Sequence, residues 1–230
     1  MNQFYAPPEQ RAGDLIAIGG EEARHITKVL RYTVGQQVIL TDGCGNRYDT
    51  IIESISKRDL YCKIQNQQKF KKSPGRVLLL GHLHKRQRVE WLLEKGTELG
   101  ITSFMLFEAD HSQRASIKED RAEQILISAM KQSGRYYLPE LHLLNGIEEA
   151  ISQTKEMKHF VGHQTAENNR KLFQTDYSSQ DLAFWIGPEG GFSERETQLL
   201  VDIGAHLVQL GNFRLRAETA ALALVSQFVR

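Results

Sequence analysis

Cysteine is nearly absent from this chain. Cys44 and Cys62 are the only two in 230 residues, too few for a disulfide framework, and they read as incidental buried thiols in a reducing compartment. Long apolar runs are missing as well. None approaches the ~20 residues that span a bilayer, and the opening MNQFYAPPEQRAGD has no apolar core of a secretory signal, so a cytoplasmic location away from membranes is expected. Metal-ligand spacing is lacking: His82 and His84 share one face of a strand pattern, with no third ligand in view. There is no nucleophile elbow, no CxxC, no repeat and no low-complexity tract. An excess of one charge is the last absence, since Lys plus Arg number 29 and Asp plus Glu 28, a net of +1. On average charge alone, nucleic acid is not the expected partner.

What is present is ordinary for a globular protein, with 40% hydrophobic and 25% charged positions. The length suits one or two domains. Composition changes near residue 70. Before it, QQVILT, RYDTIIESI and LYCKI read as short strands, separated by the turn sequence DGCGN. A helix is expected over Glu21 to Arg31, with Ala23, Ile26, Val29 and Leu30 on one stripe. The polar, basic stretch NQQKFKKSPGR at 66–76 reads as a linker.

Beyond the linker, strand patterns at 77–83, 103–109, 142–144, 158–163, 181–187 and 205–211 alternate with helices. The helices are expected at about 86–99, 118–133, 146–154, 193–203 and from 217 onward. That alternation predicts an α/β fold with a parallel sheet flanked by helices. The domains are expected at 1–72, a small β-rich unit, and 73–230.

Three places break local rules. Lys85, Arg86 and Arg88 crowd the first turn of the helix at 86–99, where the positive end of the dipole disfavours cations by about 0.3–1 kcal/mol each. Either Glu90 and Glu94 neutralise them, or they wait for a polyanion. Next, IGPEGGFSERE at 186–196 runs a buried strand into Gly187-Pro188-Glu189-Gly190-Gly191, with Ser193 and Glu196 spaced as a capping box. This is either a tight turn or a loop whose backbone approaches a ligand at a strand's carboxyl end. Glu189, a charge amid glycines, favours the second. Last, QLGNFRLRAETAALAL at 209–224 places Arg214 and Arg216 before a helix rich in alanine, again against the dipole.

Together with VEWLLEKGTELGI at 89–101, KQSGRYYLPEL at 131–141 and HITKVLR at 25–31, these segments resemble the RsmE family of 16S rRNA uracil N3-methyltransferases. The resemblance covers nearly the whole chain in order. It implies a SPOUT domain, a parallel sheet carrying a trefoil knot, behind a small PUA-like β-barrel. It also implies a homodimer, S-adenosylmethionine as cofactor, no metal, and transfer of a methyl group to N3 of a specific uridine of 16S rRNA in the 30S subunit.

By position, the resemblance gives the cofactor loops as Gly162 and His163, then Ile186, Gly187, Pro188, Glu189, Gly190 and Gly191, then Leu210, Gly211, Asn212, Phe213, Leu215, Glu218 and Thr219. The candidate catalytic residues are Arg216, Arg214 and Glu189. Arg24, Lys28, Arg31, Lys69, Lys71, Lys72, Lys85, Arg86 and Arg88 are expected to bind RNA. Three positions depart from the family pattern: Phe213 stands where an arginine is usual, Lys131 where a glutamate is frequent, and Arg88 where lysine is usual. Two rival classes are a non-catalytic rRNA-binding or assembly protein and a small-molecule α/β enzyme using the GPEGG loop for a nucleotide.

Overall fold

The computed structural model describes residues 3–113, 117–164 and 174–228. The chain divides into two compact units: Met1–Lys72 with Ile127–Leu138, and Ser73–Leu126 with Pro139–Arg230.

The first unit is built on six strands: β1 (Gln3–Tyr5), β2 (Arg11–Ala12), β3 (Leu15–Ile18), β4 (Gln37–Thr41), β5 (Asn46–Ile55) and β6 (Leu60–Lys69). They form one sheet in the order β1-β4-β5-β6-β3-β2. Alternate residues Tyr48, Thr50 and Ile52 of β5 point inward, as the two-residue period of a strand requires. With Phe4, Ile16, Ile18, Val38, Leu40 and Leu60 the apolar ones make a core into which Ile26 also packs. The strands β1 to β3 carry no usable signal in the sequence, because runs of two to four residues are too short to show alternation.

The expected helix at 21–31 is only partly regular. Helix α1 (Gly20–Arg24) passes into a π-helical turn, His25–Val29, and Arg31 follows in the left-handed region at φ 57°. The thiols also differ from expectation: both are free, but only Cys62 is buried, while Cys44 is exposed on the turn. Burial pushes the Cys62 thiol up to about 11, so it is inert at neutral pH.

Residues 127–138 belong to this unit although they lie far along the chain. Leu138 N–H donates to Gly43 O (2.8 Å), Gly45 N–H to Tyr136 O (2.7 Å) and Tyr137 Oη to Phe70 O (3.0 Å). Phe70 and Tyr136 stack at 4.2 Å between centroids, and Lys131 pairs with Glu22. The DGCGN turn is shaped for this neighbour: Gly45 has φ 92°, and a Cβ there would lie 2.2 Å from the Tyr137 ring.

The second unit is a parallel α/β sheet. Its strands are β7 (Arg76–Gly81), β8 (Ser103–Phe107), β9 (Glu140–Leu144), β10 (Lys158–Gly162), β11 (Leu182–Ile186) and β12 (His206–Val208), in the order β12-β10-β11-β7-β8-β9. The helices are α2 (Arg86–Glu98), the first part of α3 (Glu119–Gln132), whose residues from Ile127 onward belong to the first unit, α4 (Ile147–Thr154), α5 (Glu194–Asp202) and α6 (Ala217–Ser226). Strands buried on both faces read as continuous apolar runs, and LLL and LAFWI in β7 and β11 are wholly buried. Val77, Leu79, Phe107 and Trp185 meet Ile147, Ala150 and Leu200 of α4 and α5 on one face. On the other, α6 packs against β11 and α2, and Gly96 of α2 lets Phe104 approach so closely that a Cβ would lie 2.8 Å from its ring.

Two strand expectations shorten. β7 ends at Gly81, so His82 and His84 lie beyond it and share no strand face. β12 ends at Val208, and Gln209 to Gly211 leave the sheet for the wall of the cavity described next. No helix among the described residues is long and apolar enough to cross a membrane.

Candidate functional site

The carboxyl ends of β10 and β11 and the chain leaving β12 surround a cavity of about 690 Å³, the size of a small-molecule or cofactor site. These three strands are neighbours in the sheet, so their outgoing loops converge without any long excursion of the chain. The β10 end supplies Gly162, His163 and Gln164, the β11 loop supplies residues 186–192, and residues 209–217 with Ala220 complete the wall.

Local chemistry fixes these loops. A Cβ on Gly187 would lie 2.9 Å from the backbone of Gly191 and Phe192, and backbone cannot give way cheaply. A Cβ on Gly162 would lie 2.7 Å from Ile186 Cδ1, the end of a side chain that can rotate aside. The loop is then pinned to α5. Ser193 Oγ accepts from Glu196 N–H (3.1 Å), and Glu196 Oε2 accepts from Ser193 N–H (2.9 Å), so the capping box is complete. The fully buried Glu196 also accepts from Asp110 N–H at 2.9 Å. Outside the cap, Arg195 binds Asp110 at 2.8 Å and Glu148 at 2.5 Å, and its hydrogen bond holds the Asp110 carboxyl below the usual carboxylate range.

The charged residues at the mouth are not equivalent. Arg88 Nη1 lies 3.1 Å from Glu189 Oε1, and its Nε lies 3.4 Å from Glu218 Oε1. Glu189 also accepts from His84 N–H at 3.3 Å. Arg88 therefore ties the β11 loop to the first turn of α6. Arg214 Nη2 reaches Glu189 O at 3.5 Å, a weak hydrogen bond, and both Arg214 and Arg216 are exposed. Among the described residues, no backbone N–H from Leu210 to Arg216 donates to another backbone carbonyl. The residues that carry those donors line the cavity together with apolar Ile186 and Ala220, a set that suits a nucleoside-bearing cofactor. S-adenosylmethionine, with an apolar adenine face and polar edges, fits that set.

The structure brings together Gly162, His163, Ile186, Gly187, Pro188, Glu189, Gly190, Gly191, Leu210, Gly211, Asn212, Phe213, Arg214, Leu215 and Arg216. Glu218 and Thr219 do not line the cavity: Glu218 is buried against Arg88, and Thr219 is exposed. Sequence reasoning missed Gln164, Phe192, Gln209 and Ala220 on the wall, while Ala217 falls inside the expected loop from Leu210 to Thr219. The small residues opening α6 were the one available signal for Ala220, and the glutamines carry none. Arg88 lines this cavity, whereas the sequence suggested RNA contact. Among the other cations, Arg24, Lys28, Arg31, Lys71, Lys72 and Lys85 are exposed. Lys69 Nζ donates to Cys44 O at 2.6 Å, and Arg86 pairs with Glu90 at 3.1 Å. No group of three or more metal-ligating side chains occurs among the described residues.

Known proteins carry the same organisation. A family profile for an RNA methyltransferase domain matches residues 71–229, and one for an RNA methyltransferase PUA domain matches residues 18–65. A ribosomal RNA small subunit methyltransferase E of Bacillus subtilis is 29% identical over 224 residues, 91% of this chain and 88% of that protein. The crystal structure of a probable rRNA-methyltransferase from Porphyromonas gingivalis aligns with a TM-score of 0.87 at 32% identity, covering 98% of this chain and 95% of that one. A ribosomal RNA small subunit methyltransferase E from Neisseria gonorrhoeae, solved bound to S-adenosyl methionine, aligns with a TM-score of 0.83 at 28% identity, covering 98% and 95%.

Proposed function

Because the chain belongs to the RNA methyltransferase family, among proteins of the ribosomal RNA small subunit methyltransferase E type, we propose that it transfers a methyl group from S-adenosylmethionine to N3 of a specific uridine in 16S rRNA. The observation that carries this reading is the convergence of three strand-end loops on one cavity, with the loop at 210–216 on its wall and exposed arginines beside it. The wider reading is a cytoplasmic homodimer with a SPOUT-type knot, acting on the 30S subunit through residues 1–72 and the methyltransferase domain at 73–230. A non-catalytic rRNA-binding protein is the less favoured reading, because it has no use for a cofactor-sized cavity.

Bound S-adenosylmethionine supplies a methyl group on a positively charged sulfur. Everything else falls to the chain. Uracil N3 is a weakly acidic imide, so it must lose its proton and meet the methyl group in line. Loops braced by Gly187, the Ser193 cap and Arg88 hold the reacting groups in register, and such orientation supplies several kcal/mol of barrier lowering. Arg216 meets the negative charge that develops on a uracil carbonyl oxygen, with Arg214 beside it on a neighbouring phosphate. Glu189 acts by position. Its carboxylate is already engaged by Arg88 and the His84 N–H, so it fixes the loop and leaves proton removal to water.

The test is methyl incorporation. The full chain, given labelled S-adenosylmethionine and 30S particles that lack the modification, should label 16S rRNA, and digestion should yield 3-methyluridine. Absence of label, or a different methylated nucleoside, would overturn the reading.

A further inference from the structure

Phe213 is the anomaly of the site. It lines the cavity yet is 86% exposed, the most exposed large hydrophobic residue among those described. Nearby phenylalanines behave otherwise: Phe192 stacks on Phe107 at 6.4 Å, and Phe184 is wholly buried. A flat apolar ring kept in water forgoes the free energy of burial. The sequence around it offers Asn212 and Gly211 before the ring and two exposed cations, Arg214 and Arg216, after it.

We propose that Phe213 stacks on the face of the target uracil, while Arg214 takes a flanking phosphate. The proposal rests on the methyltransferase reading of this cavity. An aromatic face beside positive charge is the combination that single-stranded RNA engages, one surface for a base and the other for the backbone. Stacking also suits this reaction. It grips the pyrimidine by its face and leaves N3 and both carbonyl oxygens, all on the ring edge, open to the methyl group and to Arg216. The cofactor does not need the ring, since Leu210, Leu215 and Ile186 already offer apolar wall deeper in the cavity. The main chain around residue 213 then serves the cofactor and its side chain serves the substrate.

Kinetics on 30S subunits with the full chain, calorimetry with S-adenosylmethionine and sedimentation of each variant test this. Phe213→Ala should raise KM for 30S on the order of ten-fold, leaving cofactor affinity, melting temperature and sedimentation unchanged. Phe213→Tyr should keep the wild-type KM, whereas Phe213→Leu, apolar but without an aromatic face, should behave like Phe213→Ala. The proposal is overturned by an unchanged KM in Phe213→Ala, by rescue with leucine as complete as with tyrosine, by loss of cofactor affinity in place of 30S affinity, or by dissociation into a smaller species. If the wild-type chain itself transfers no methyl group to 30S, the reading of the site fails first and this inference falls with it.

Discussion

Arg216 and Arg88 are both arginines at one cavity, yet they stand in opposite situations. Arg88 is held between Glu189 and Glu218, whereas Arg216 is exposed, and only the second is free to meet a substrate. Arg216→Ala should therefore abolish methylation of 30S particles and leave S-adenosylmethionine affinity nearly intact, as calorimetry beside the methyl-incorporation assay would read. Turnover within a few-fold of wild type would remove Arg216 from the mechanism. Arg88 could not be sorted this way from its position near a helix start, because both of its carboxylate partners lie more than a hundred residues away along the chain. Within the same sheet, Trp185 Nε1 donates to His159 Nδ1 at 2.9 Å, both residues being buried. That bond needs a neutral imidazole, and burial depresses the His159 value below its ordinary 6.5. The unfolded chain takes up the proton first, so the associated stability is complete above pH 6.5 and is lost as the pH falls through the depressed folded value. His206, also depressed by burial, acts in the same direction. Melting temperatures measured from pH 8 downward should decline below about 6.5, and His159→Asn should flatten that decline. Identical slopes in the two proteins would clear His159 of the effect.

Elements that carry their own signal in sequence are the ones that match the structure. The β11 strand, the GPEGG loop and the capped start of α5 were legible because each obeys a local rule: an apolar run, glycine at close approach, and a reciprocal cap. Removing the cap oxygen has a calculable effect. Ser193→Ala frees the Glu196 N–H and also breaks the 2.5 Å bond from Ser193 Oγ to Asp110. It should cost about 1 kcal/mol, a fall in melting temperature of about 2–4 °C for a unit of this size. Scanning calorimetry would measure it, and no shift would mean that the cap is replaced by water at no loss. Elements whose ends are decided by distant partners were not legible. β12 stops at Val208 because the chain beyond it lines the cavity, although VQLG continues the strand pattern. β1 pairs in parallel with β4, more than thirty residues away, and no local periodicity announces that. The segment after α3 reads as a loop in sequence, and its stacking of Tyr136 on Phe70 is a long-range event.

At the scale of the molecule, a net charge of +1 gives the wrong expectation for a protein of the RNA methyltransferase family. The average hides two populations of cation. Arg47, Arg76, Arg88 and Arg195 are paired within the chain, with Asp49, backbone carbonyls, the Glu189–Glu218 pair and the Asp110–Glu148 pair, although Arg195 itself is exposed. Arg24, Lys28, Arg31, Lys71, Lys85, Arg214 and Arg216 remain exposed. The paired group offsets acids in the charge count, and the second group is left as the candidate surface for a polyanion. This division makes the salt dependence of RNA binding a sharper observable than its affinity. Each phosphate of single-stranded RNA that a variant no longer neutralises should reduce the slope of log K against log salt by about 0.7. Lys71→Glu with Lys85→Glu removes two exposed cations without touching the cavity wall. Binding of 30S should therefore weaken most at low salt, with the slope reduced by about 1.4 if both lysines meet phosphate. Binding of S-adenosylmethionine to the same variant should not change. If affinity falls equally at every salt concentration, the loss is structural and these lysines do not face the RNA backbone. If neither affinity nor slope moves, the RNA lies against other exposed cations, and Arg24, Lys28 and Arg31 become the ones to reverse.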